Sequence, residues 1–288
     1  MNNATIGIIG GSGLYAMDGL EDVHEVQVQT PFGAPSDAIV LGTCGNQQLA
    51  FLPRHGRGHR LLPTEVPACA NIYALKSLGV RRIIAVSAVG SMREELAPLD
   101  LVIPDQIFDR TTSRVNTFFG EGVVAHVGFA DPFCADLSAA LAATAEQLGV
   151  RTHRGGAYLC IEGPQFSSKA ESRVYRSWGV DVIGMTAIPE AKLAREAEMC
   201  YATLAFVTDY DVWHRSAASV SVEMVVQNLS ANVGNARRIL QSVTPTLTAQ
   251  PTCTCGSALS NAIMTAPDAI PAGTRRRLGL LIDRHLPS

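Results

Sequence analysis

Residues 5–14 have the sequence TIGIIGGSGL, and this stretch decides the class of fold. The apolar, β-branched run 6–9 is followed at once by the glycines and serine of 10–13. Such a pattern predicts a buried strand that enters a tight glycine turn. The turn would expose successive backbone N–H groups, which suit a phosphate, although an ordinary tight turn is an equally good interpretation of the motif alone.

The same turn departs from the dinucleotide-binding fingerprint. Ala16 stands where the third glycine of that fingerprint would be, and its helix and distal acidic residue have no clear counterpart. The departure argues against an NAD-linked dehydrogenase.

Outward from this strand, strand-like and helix-like segments alternate. Apolar or β-branched runs predict strands at 38–41, 48–52, 82–87, 101–104, 156–161, 180–185 and 201–208. Apolar spacings of three and four predict helices at 65–78, 135–148, 169–178, 189–198 and 221–240. We therefore expect an α/β fold, and because no repeat or long linker interrupts residues 1–240, we expect them to form one domain.

Beyond residue 240 the composition changes. Residues 242–256 are SVTPTLTAQPTCTCG, followed by a short helix-like pattern at 258–265 and an arginine-bearing end. We expect residues 241–288 to be a C-terminal extension that packs on the main domain or on a neighbouring subunit.

Composition limits the partners. The 288 residues are 47% hydrophobic and 17% charged, which suits a large buried core. A net charge of −3 and a pI near 6.2 leave no basic excess for a nucleic-acid backbone, so we expect a small-molecule ligand in a local pocket. No basic segment precedes an apolar stretch at the N-terminus, and no apolar run approaches a membrane span, so the expected location is the cytoplasm, with no membrane partner.

Seven cysteines are spread along the chain, and all but Cys253 and Cys255 stand singly in apolar or mixed segments. That distribution is typical of small buried thiols and not of a secreted disulfide framework. The Cys253–Cys255 pair could be a strained redox pair or half a metal site, but only two cysteines are local in sequence. We expect reduced or structural thiols and no metal site.

Two further segments are candidates for binding an anion. Residues 54–59, RHGRGH, directly follow an apolar run, and their guanidinium and imidazole groups can donate charge-assisted hydrogen bonds to one phosphate. A solvated basic loop is the less favoured interpretation. The strand-to-turn segment 86–91 adds hydroxyls and open backbone amides.

Taken together, the sequence resembles the 5′-methylthioadenosine phosphorylase branch of the trimeric purine nucleoside phosphorylase family. The resemblance runs in order through roughly residues 5–240. It is carried by GIIGGSGL (7–14), TPFGAPSD (30–37), RHGRGH (54–59), NIYALKSLG (71–79), SAVGSMREE (87–95), DQIFDRTTSR (105–114), ADPFC (130–134), IEGPQFSSKAE (161–171), GMTAIPEAKLAREAEMCYA (184–202) and TDYDVW (208–213).

This resemblance implies a single-domain α/β nucleoside phosphorylase fold, with a mixed central β-sheet or distorted barrel flanked by helices. It implies a homotrimer, or a dimer of such trimers, with active sites near subunit interfaces. Residues 1–240 would be the catalytic domain, and inorganic phosphate would be a co-substrate with no metal or organic cofactor. The implied phosphate contacts are Ser12, Arg54, His55, Ser87, Ala88 and Thr186; Met185 would line the ribose and Phe166 the base.

The segment 208–213 is expected to contact the base. Asp209 and Asp211 are two residues apart, so on an extended segment both would face one ligand, with Tyr210 between them. Without the resemblance, such a pair is more often a polar loop. With it, a protonated Asp209 can donate to N7 of adenine as the glycosidic bond breaks. Because relatives that prefer 6-oxopurines have Asn there, Asp209 indicates a 6-aminopurine.

The substrate's 5′ end gives a second specificity argument. Val222 and Val225, three apart on a helix, could form an apolar slot that fits a methylthio group. His126 resembles a residue that reaches this pocket from the adjacent subunit, or is an ordinary surface histidine, and Ser167 matches a position linked to substrate preference. The expected substrate is therefore 5′-methylthioadenosine.

Three alternatives remain open at this point. The chain could be a purine nucleoside phosphorylase acting on adenosine, inosine, guanosine or methylthioinosine. It could be a nucleoside- or phosphate-binding sensor without catalysis. A hydrolase would differ from a phosphorylase in needing no phosphate.

Overall fold

The computed structural model describes residues 4–11, 13–214, 222–248 and 250–287, and it describes residues 222–227 and 229 by their backbone alone. In this part of the chain, eleven strands join into one mixed sheet. The strands are β1 (Ile6–Gly10), β2 (Glu21–Val26), β3 (Ile39–Cys44), β4 (Gln47–Pro53), β5 (Arg82–Ser91), β6 (Leu101–Ile103), β7 (Gln106–Arg110), β8 (Thr152–Arg154), β9 (Ala157–Ile161), β10 (Val182–Gly184) and β11 (Cys200–Asp209). The mixed central sheet and the α/β class are confirmed, but the sheet does not close into a barrel.

The sheet branches at β5. Its main order is β2-β3-β4-β1-β5-β10-β9-β7, while β11 pairs with β5 and β6, and β6 pairs with β8. The first half of β5 runs parallel to β1, its last residues pair antiparallel with β10, and β11 runs parallel along its other edge. Because β4, β1, β5 and β11 are mutually parallel neighbours, their carboxyl ends meet at one edge of the sheet.

Helices cover both faces of this sheet. They are α1 (Ala68–Ser77), α2 (Ala135–Gln147), α3 (Lys169–Ser177), α4 (Ala187–Glu196), α5 (Val222–Val243) and α6 (Ala272–Ile282). Buried residues of α1, α4 and α6 share one core cluster, and those of α2 and α5 share another. Among the described residues, no helix combines the length and the apolar character needed to cross a bilayer.

The start of α3 shows how sequence sets an element boundary. Ser168 is the N-cap and accepts a hydrogen bond from the backbone N–H of Glu171, while the Glu171 carboxylate accepts one from the N–H of Ser168. This reciprocal pair satisfies two amides that the first helical turn leaves unpaired. The helix therefore begins directly after the 161–167 segment.

Four elements differ from the sequence-based expectation. Strands β2, β7 and β8 were not predicted, because β2 and β7 are rich in exposed charged and polar residues and β8 has three residues. Residues 258–265 form turns, so the predicted short helix is wrong. This segment instead pairs with the 124–126 segment, where Met264 N–H donates to the Val124 carbonyl and His126 N–H donates to the Ala262 carbonyl.

The C-terminal residues contact the rest of the fold at several points. Gln47 donates to the carbonyl of Leu247 at 2.8 Å, and the backbone N–H of Leu259 donates to the carboxylate of Glu198 at 2.9 Å. Arg284 forms an ion pair with the same carboxylate, and His285 Nε2 lies 2.9 Å from it. The division of the chain into a 1–240 domain and a 241–288 extension stays a prediction.

Candidate active site

A cavity of about 340 Å³ opens where the carboxyl ends of β1, β4, β5 and β11 meet. Ten predicted site residues line it together. They are Arg54, His55, Ser87, Ala88, Phe166, Ser167, Met185, Thr186, Asp209 and Asp211. Sequence positions more than 150 residues apart therefore converge on one ligand-sized space, as at the strand ends of other α/β folds.

Arg54 follows β4 and is 4% exposed. Its guanidinium forms an ion pair with Glu190 through Nε and through Nη2 at 3.1 Å. It also donates from Nη1 to the carbonyl of Val86 at 3.0 Å and from Nη2 to that of Ile9 at 3.4 Å. Burial alone would lower the pKa of Arg54, but the Glu190 carboxylate raises it, so the guanidinium stays charged. These contacts use four of its five N–H groups, which leaves one on Nη1 for an anion.

His55 is held as a neutral imidazole. Burial, followed by the charge of Arg54, lowers its pKa to about 4. Its Nδ1 lies 2.8 Å from the carbonyl of Leu61, so Nδ1 carries the proton and Nε2 the lone pair. The ring of His59 stacks on it at a centroid distance of 4.3 Å. In the free protein His55 is thus a proton acceptor toward the cavity, whereas the sequence argument treated it as a donor.

Three hydroxyl groups meet beside these residues. Ser87 Oγ lies 2.7 Å from Thr186 Oγ1, and the hydroxyl of Tyr158 lies 3.1 Å from the same atom. Ser87 lies in β5, and Thr186 is the residue directly before α4. Two different elements therefore place hydroxyl groups side by side. Gly11 also lines the cavity. Hydroxyls and an arginine N–H at one place can bind the oxygens of a phosphate.

The two predicted carboxylates also lie at the cavity, but their backbone geometry differs from the expectation. Asp209 ends β11, and Asp211, with φ of 50°, begins a 3-10 turn (Asp211–Trp213), so the predicted extended segment is wrong. Asp209 accepts hydrogen bonds from the Thr208 hydroxyl at 2.7 Å and the Asp211 N–H at 2.8 Å. Burial raises the pKa of both carboxyl groups above their ordinary value, which favours their protonated forms.

Phe166, Ser167 and Met185 complete the wall. Phe166 is 48% exposed, so its ring is available to stack on a planar ligand. Ser167 is 9% exposed, and its Oγ is buried without a hydrogen-bond partner among the described residues. A buried hydroxyl of this kind at a cavity wall indicates a position where a ligand atom would complete the hydrogen bond.

Two predicted residues lie away from the cavity. The Tyr210 hydroxyl donates to the carbonyl of Glu94, and its ring contacts Trp213 and His214. His126 is exposed and pairs through its backbone with Ala262. Its predicted role concerns a neighbouring subunit and stays a prediction.

Three predicted residues fall outside the described part. Ser12 is not described, and neither are the side chains of Val222 and Val225. Gly11 does line the cavity, and so does Val233, which lies further along α5.

Sequence reasoning missed the residues that hold this site together. Arg114 is 4% exposed at its side chain and donates to the carbonyls of Met185 and Ile188, each at 2.6 Å, and of Glu162 at 2.7 Å. Glu190, 3% exposed, orients Arg54 and accepts from Tyr201 at 2.9 Å. Both stand in motifs quoted above. The available signal for Glu190 was a carboxylate directly after the apolar residues 187–189.

Comparison with known proteins places this arrangement in a family. Residues 5–245 match the phosphorylase superfamily. The chain is 58% identical over 282 residues to S-methyl-5′-thioadenosine phosphorylase of Geobacter sulfurreducens and 57% identical to that of Koribacter versatilis, covering 98% of this chain and 99% and 97% of theirs.

Solved structures agree with the sequence relatives. A methylthioadenosine phosphorylase from an antarctic soil metagenomic library superposes with a TM-score of 0.94 at 50% identity, covering 98% of this chain and all of the other. A mutant of adenosine/methylthioadenosine phosphorylase from Schistosoma mansoni, solved in complex with methylthioadenosine, gives a TM-score of 0.82 at 36% identity, covering 88% and 95% of the two chains.

Proposed function

Because this chain belongs to the S-methyl-5′-thioadenosine phosphorylases of the phosphorylase superfamily, we propose that it catalyses the phosphorolysis of 5′-methylthioadenosine. The products are adenine and 5-methylthioribose 1-phosphate. One observation carries the proposal. A single cavity holds both kinds of group that the reaction needs. Arg54 and the hydroxyls of Ser87 and Thr186 can bind an anion, and the buried carboxyl group of Asp209 lies in the same cavity.

In the proposed reaction, a phosphate oxygen forms a bond to C1′ of the ribose while the bond from C1′ to N9 of adenine breaks. The remaining N–H of Arg54 and the two hydroxyls hold the phosphate. Neutral His55 accepts a hydrogen bond at Nε2 from the O–H of monobasic phosphate, which orients the attacking group. No covalent enzyme intermediate and no organic or metal cofactor take part in this scheme.

The leaving group requires an acid. The electron pair of the broken bond moves into the purine ring, and adenine leaves more easily when N7 receives a proton. Asp209 supplies it, and the raised pKa of its carboxyl group supports that role. Phe166 stacks on the base, and Ser167 completes its hydrogen bond with the nucleoside.

Adenosine is the second candidate substrate. The Schistosoma mansoni relatives are named adenosine/methylthioadenosine phosphorylases, and they are 34–37% identical to this chain. The proposed apolar slot of Val222 and Val225 favours a methylthio group over a 5′-hydroxyl. Relative kcat/KM on the two nucleosides decides between them.

We also propose that the enzyme is a cytoplasmic homotrimer, in which His126 completes the 5′ pocket of the adjacent subunit. Exposed aromatic residues support a subunit contact, because Phe108 and Trp178 are 44% and 45% exposed and lie 4.9 Å apart between ring centroids. The mass of the purified protein in solution tests the assembly. A monomer with full activity would contradict it.

The proposed function is tested by incubating the purified protein with 5′-methylthioadenosine, with and without phosphate, and measuring adenine. We expect release that requires phosphate, and a loss of about 10²-fold or more in kcat for Asp209→Asn, which keeps the side-chain shape but cannot donate the acid proton. Asp268→Asn, at an exposed position in a C-terminal turn, is the matched control and should retain full activity.

Other results would identify other functions. Adenine release without phosphate would make the protein a nucleosidase. Cleavage of inosine with no cleavage of methylthioadenosine would reject the assignment of base specificity to Asp209. Tight nucleoside binding with no product would make it a sensor.

A further inference from the structure

Four cysteines from three distant segments of the chain meet at one point of the fold. Cys134, Cys200, Cys253 and Cys255 place their sulfur atoms within 4.8 Å of one another. Cys253 Sγ lies 3.3 Å from Cys200 Sγ and 3.7 Å from Cys134 Sγ. All seven cysteines of the chain are free thiols in this structure. Only Cys253 and Cys255 are neighbours in sequence, so residue spacing alone did not predict a cluster of four.

The spacing of these sulfur atoms matches a tetrahedral metal site. Zinc–thiolate bonds are about 2.3 Å long, so the sulfur atoms of a regular tetrahedron around zinc lie about 3.8 Å apart. The separations given above are close to this value. They are well above the distance of about 2.0 Å in a disulfide bond.

The four residues are also held by ordered elements. Cys134 is the N-cap of α2, Cys200 is the first residue of β11, and Cys255 lies in a 3-10 turn (Thr254–Ser257) that Cys253 precedes. Three of the four are buried, at 2–6% exposure, and Cys253 is half-buried. The N-terminus of α2 favours a thiolate at Cys134, since the helix amides stabilise negative charge.

We propose that this cluster is a structural zinc site that fastens the C-terminal segment to the catalytic core. Zinc forms four Zn–S bonds and displaces the thiol protons to solvent, which leaves a site with two net negative charges. Arg82 lines the adjoining cavity of about 160 Å³ and offsets part of this charge, although Asp136 lines it too. The closed set of four sulfur ligands leaves no open position for substrate, as in structural zinc sites.

The site is remote from the reaction. Cys200 begins β11 and Asp209 ends it, and a strand rises about 3.3 Å per residue, so the two residues are about 30 Å apart. Zinc would act by joining three chain segments, namely those before α2, at the start of β11 and after α5. We therefore expect it to change stability and not the chemical step.

The test begins with the full-length protein purified under reducing conditions, dialysed against zinc and then against metal-free buffer. Elemental analysis should find about one zinc ion per chain. Cobalt in place of zinc should give the intense visible absorption of tetrahedral cobalt thiolate. Zinc should also raise the Tm of the metal-free protein and protect four thiols from a thiol reagent.

Variants assign the metal to these residues. Cys253→Ser, at the most exposed of the four, should lose stoichiometric zinc and the zinc-dependent rise in Tm. Cys69→Ser removes a half-buried thiol outside the cluster and should keep both. kcat should be unchanged in both variants.

Other outcomes overturn the proposal. One is a reduced wild-type protein that binds no zinc while its thiols react freely. Another is a Cys253→Ser variant that retains zinc. A third is an intact mass that shows disulfide bonds after purification under reducing conditions. If Cys253→Ser fails to fold, the cobalt spectrum of the wild-type protein decides, because a tetrathiolate site is the source of that signature. If the wild-type protein does not cleave methylthioadenosine, the proposed function is rejected, but the proposed zinc site is not.

Discussion

At the scale of single residues, two adjacent serines give opposite predictions. Ser167→Ala removes a buried hydroxyl that has no partner among the described residues, and such a group costs about 1–3 kcal/mol in the free protein. We expect an unchanged or higher Tm and a KM for methylthioadenosine that rises several-fold. Thermal unfolding and initial rates measure the two effects.

The matched control is Ser168→Ala. Ser168 caps α3, and loss of an N-cap costs about 1 kcal/mol. We expect a lower Tm with little change in KM. If both serines change KM equally, Ser167 has no special contact with the nucleoside.

His55 provides a prediction about pH. Its pKa of about 4 in the folded protein lies below the value of about 6.5 in an unfolded chain, so the folded protein binds fewer protons. The stability that this difference contributes is present above pH 6.5 and is lost as the pH falls toward 4. His55→Asn keeps an N–H for the Leu61 carbonyl but does not titrate.

We therefore expect the Tm of the wild-type protein to fall more steeply than that of His55→Asn between pH 6.5 and 4. His24→Asn, at an exposed position, should follow the wild-type curve. Parallel curves for His55→Asn and the wild type would mean that His55 is not held neutral by its surroundings.

Ten of the 22 residues that line the cavity were predicted as site residues, most of them through the family resemblance. Arg54, Ser87 and Asp209 stand at the carboxyl ends of predicted strands that run parallel in the sheet, where side chains come together. Met185 follows β10, which pairs antiparallel with β5, and was predicted from the resemblance. Tyr210 was misplaced because the backbone turns directly after β11, which sends its ring toward Glu94. A turn that depends on tertiary contacts has no signal in the residue spacing.

At the scale of elements, Arg114 connects the end of β9 with the segment before α4. Its guanidinium donates to backbone carbonyls of both segments. A lysine has its three donors on one nitrogen atom, so it cannot reach all of these carbonyls. Arg114→Lys should therefore destabilise the protein by about 1–3 kcal/mol for each carbonyl left unpaired. KM for methylthioadenosine should also rise, because Met185 lines the cavity. Urea unfolding and initial rates measure both effects.

Arg110→Lys is the control for Arg114→Lys. Arg110 is exposed at the end of β7, and its change should leave stability and KM close to the wild-type values. Equal effects of the two substitutions would mean that the backbone contacts of Arg114 contribute little.

The strands that sequence analysis found and missed differ in burial. β1 and β11 are buried along their whole length, and their apolar runs were recognised. β2 has the sequence EDVHEV, is exposed at nearly every position and, among the described strands, pairs only with β3. Its charges suit an edge strand, because they oppose pairing with another molecule, but they hide it from a search for apolar alternation.

At the scale of the whole molecule, the sequence patterns did not predict which distant segments of the chain lie next to each other. Periodicity predicts helices and strands, but it does not show that residues 134 and 200 meet residues 253 and 255. The same limit applies to Glu198, whose buried carboxylate contacts Arg284 and His285 near the end of the chain. These contacts join segments far apart in the chain, which local residue patterns do not specify.

The branching at β5 has a consequence for amide hydrogen exchange. In the described part of the chain, neighbouring strands cover both edges of β5, whereas β2 pairs with one strand. We therefore expect β5 amides to exchange only when the whole protein unfolds and β2 amides to exchange by local opening. Hydrogen exchange followed by mass spectrometry should then show that adenine or phosphate slows exchange of the β5 amides by the factor that corresponds to the ligand's whole binding free energy. The β2 amides should be slowed less. Equal slowing in both strands would contradict this. Exchange of the β5 amides would thus report the free energy of global unfolding.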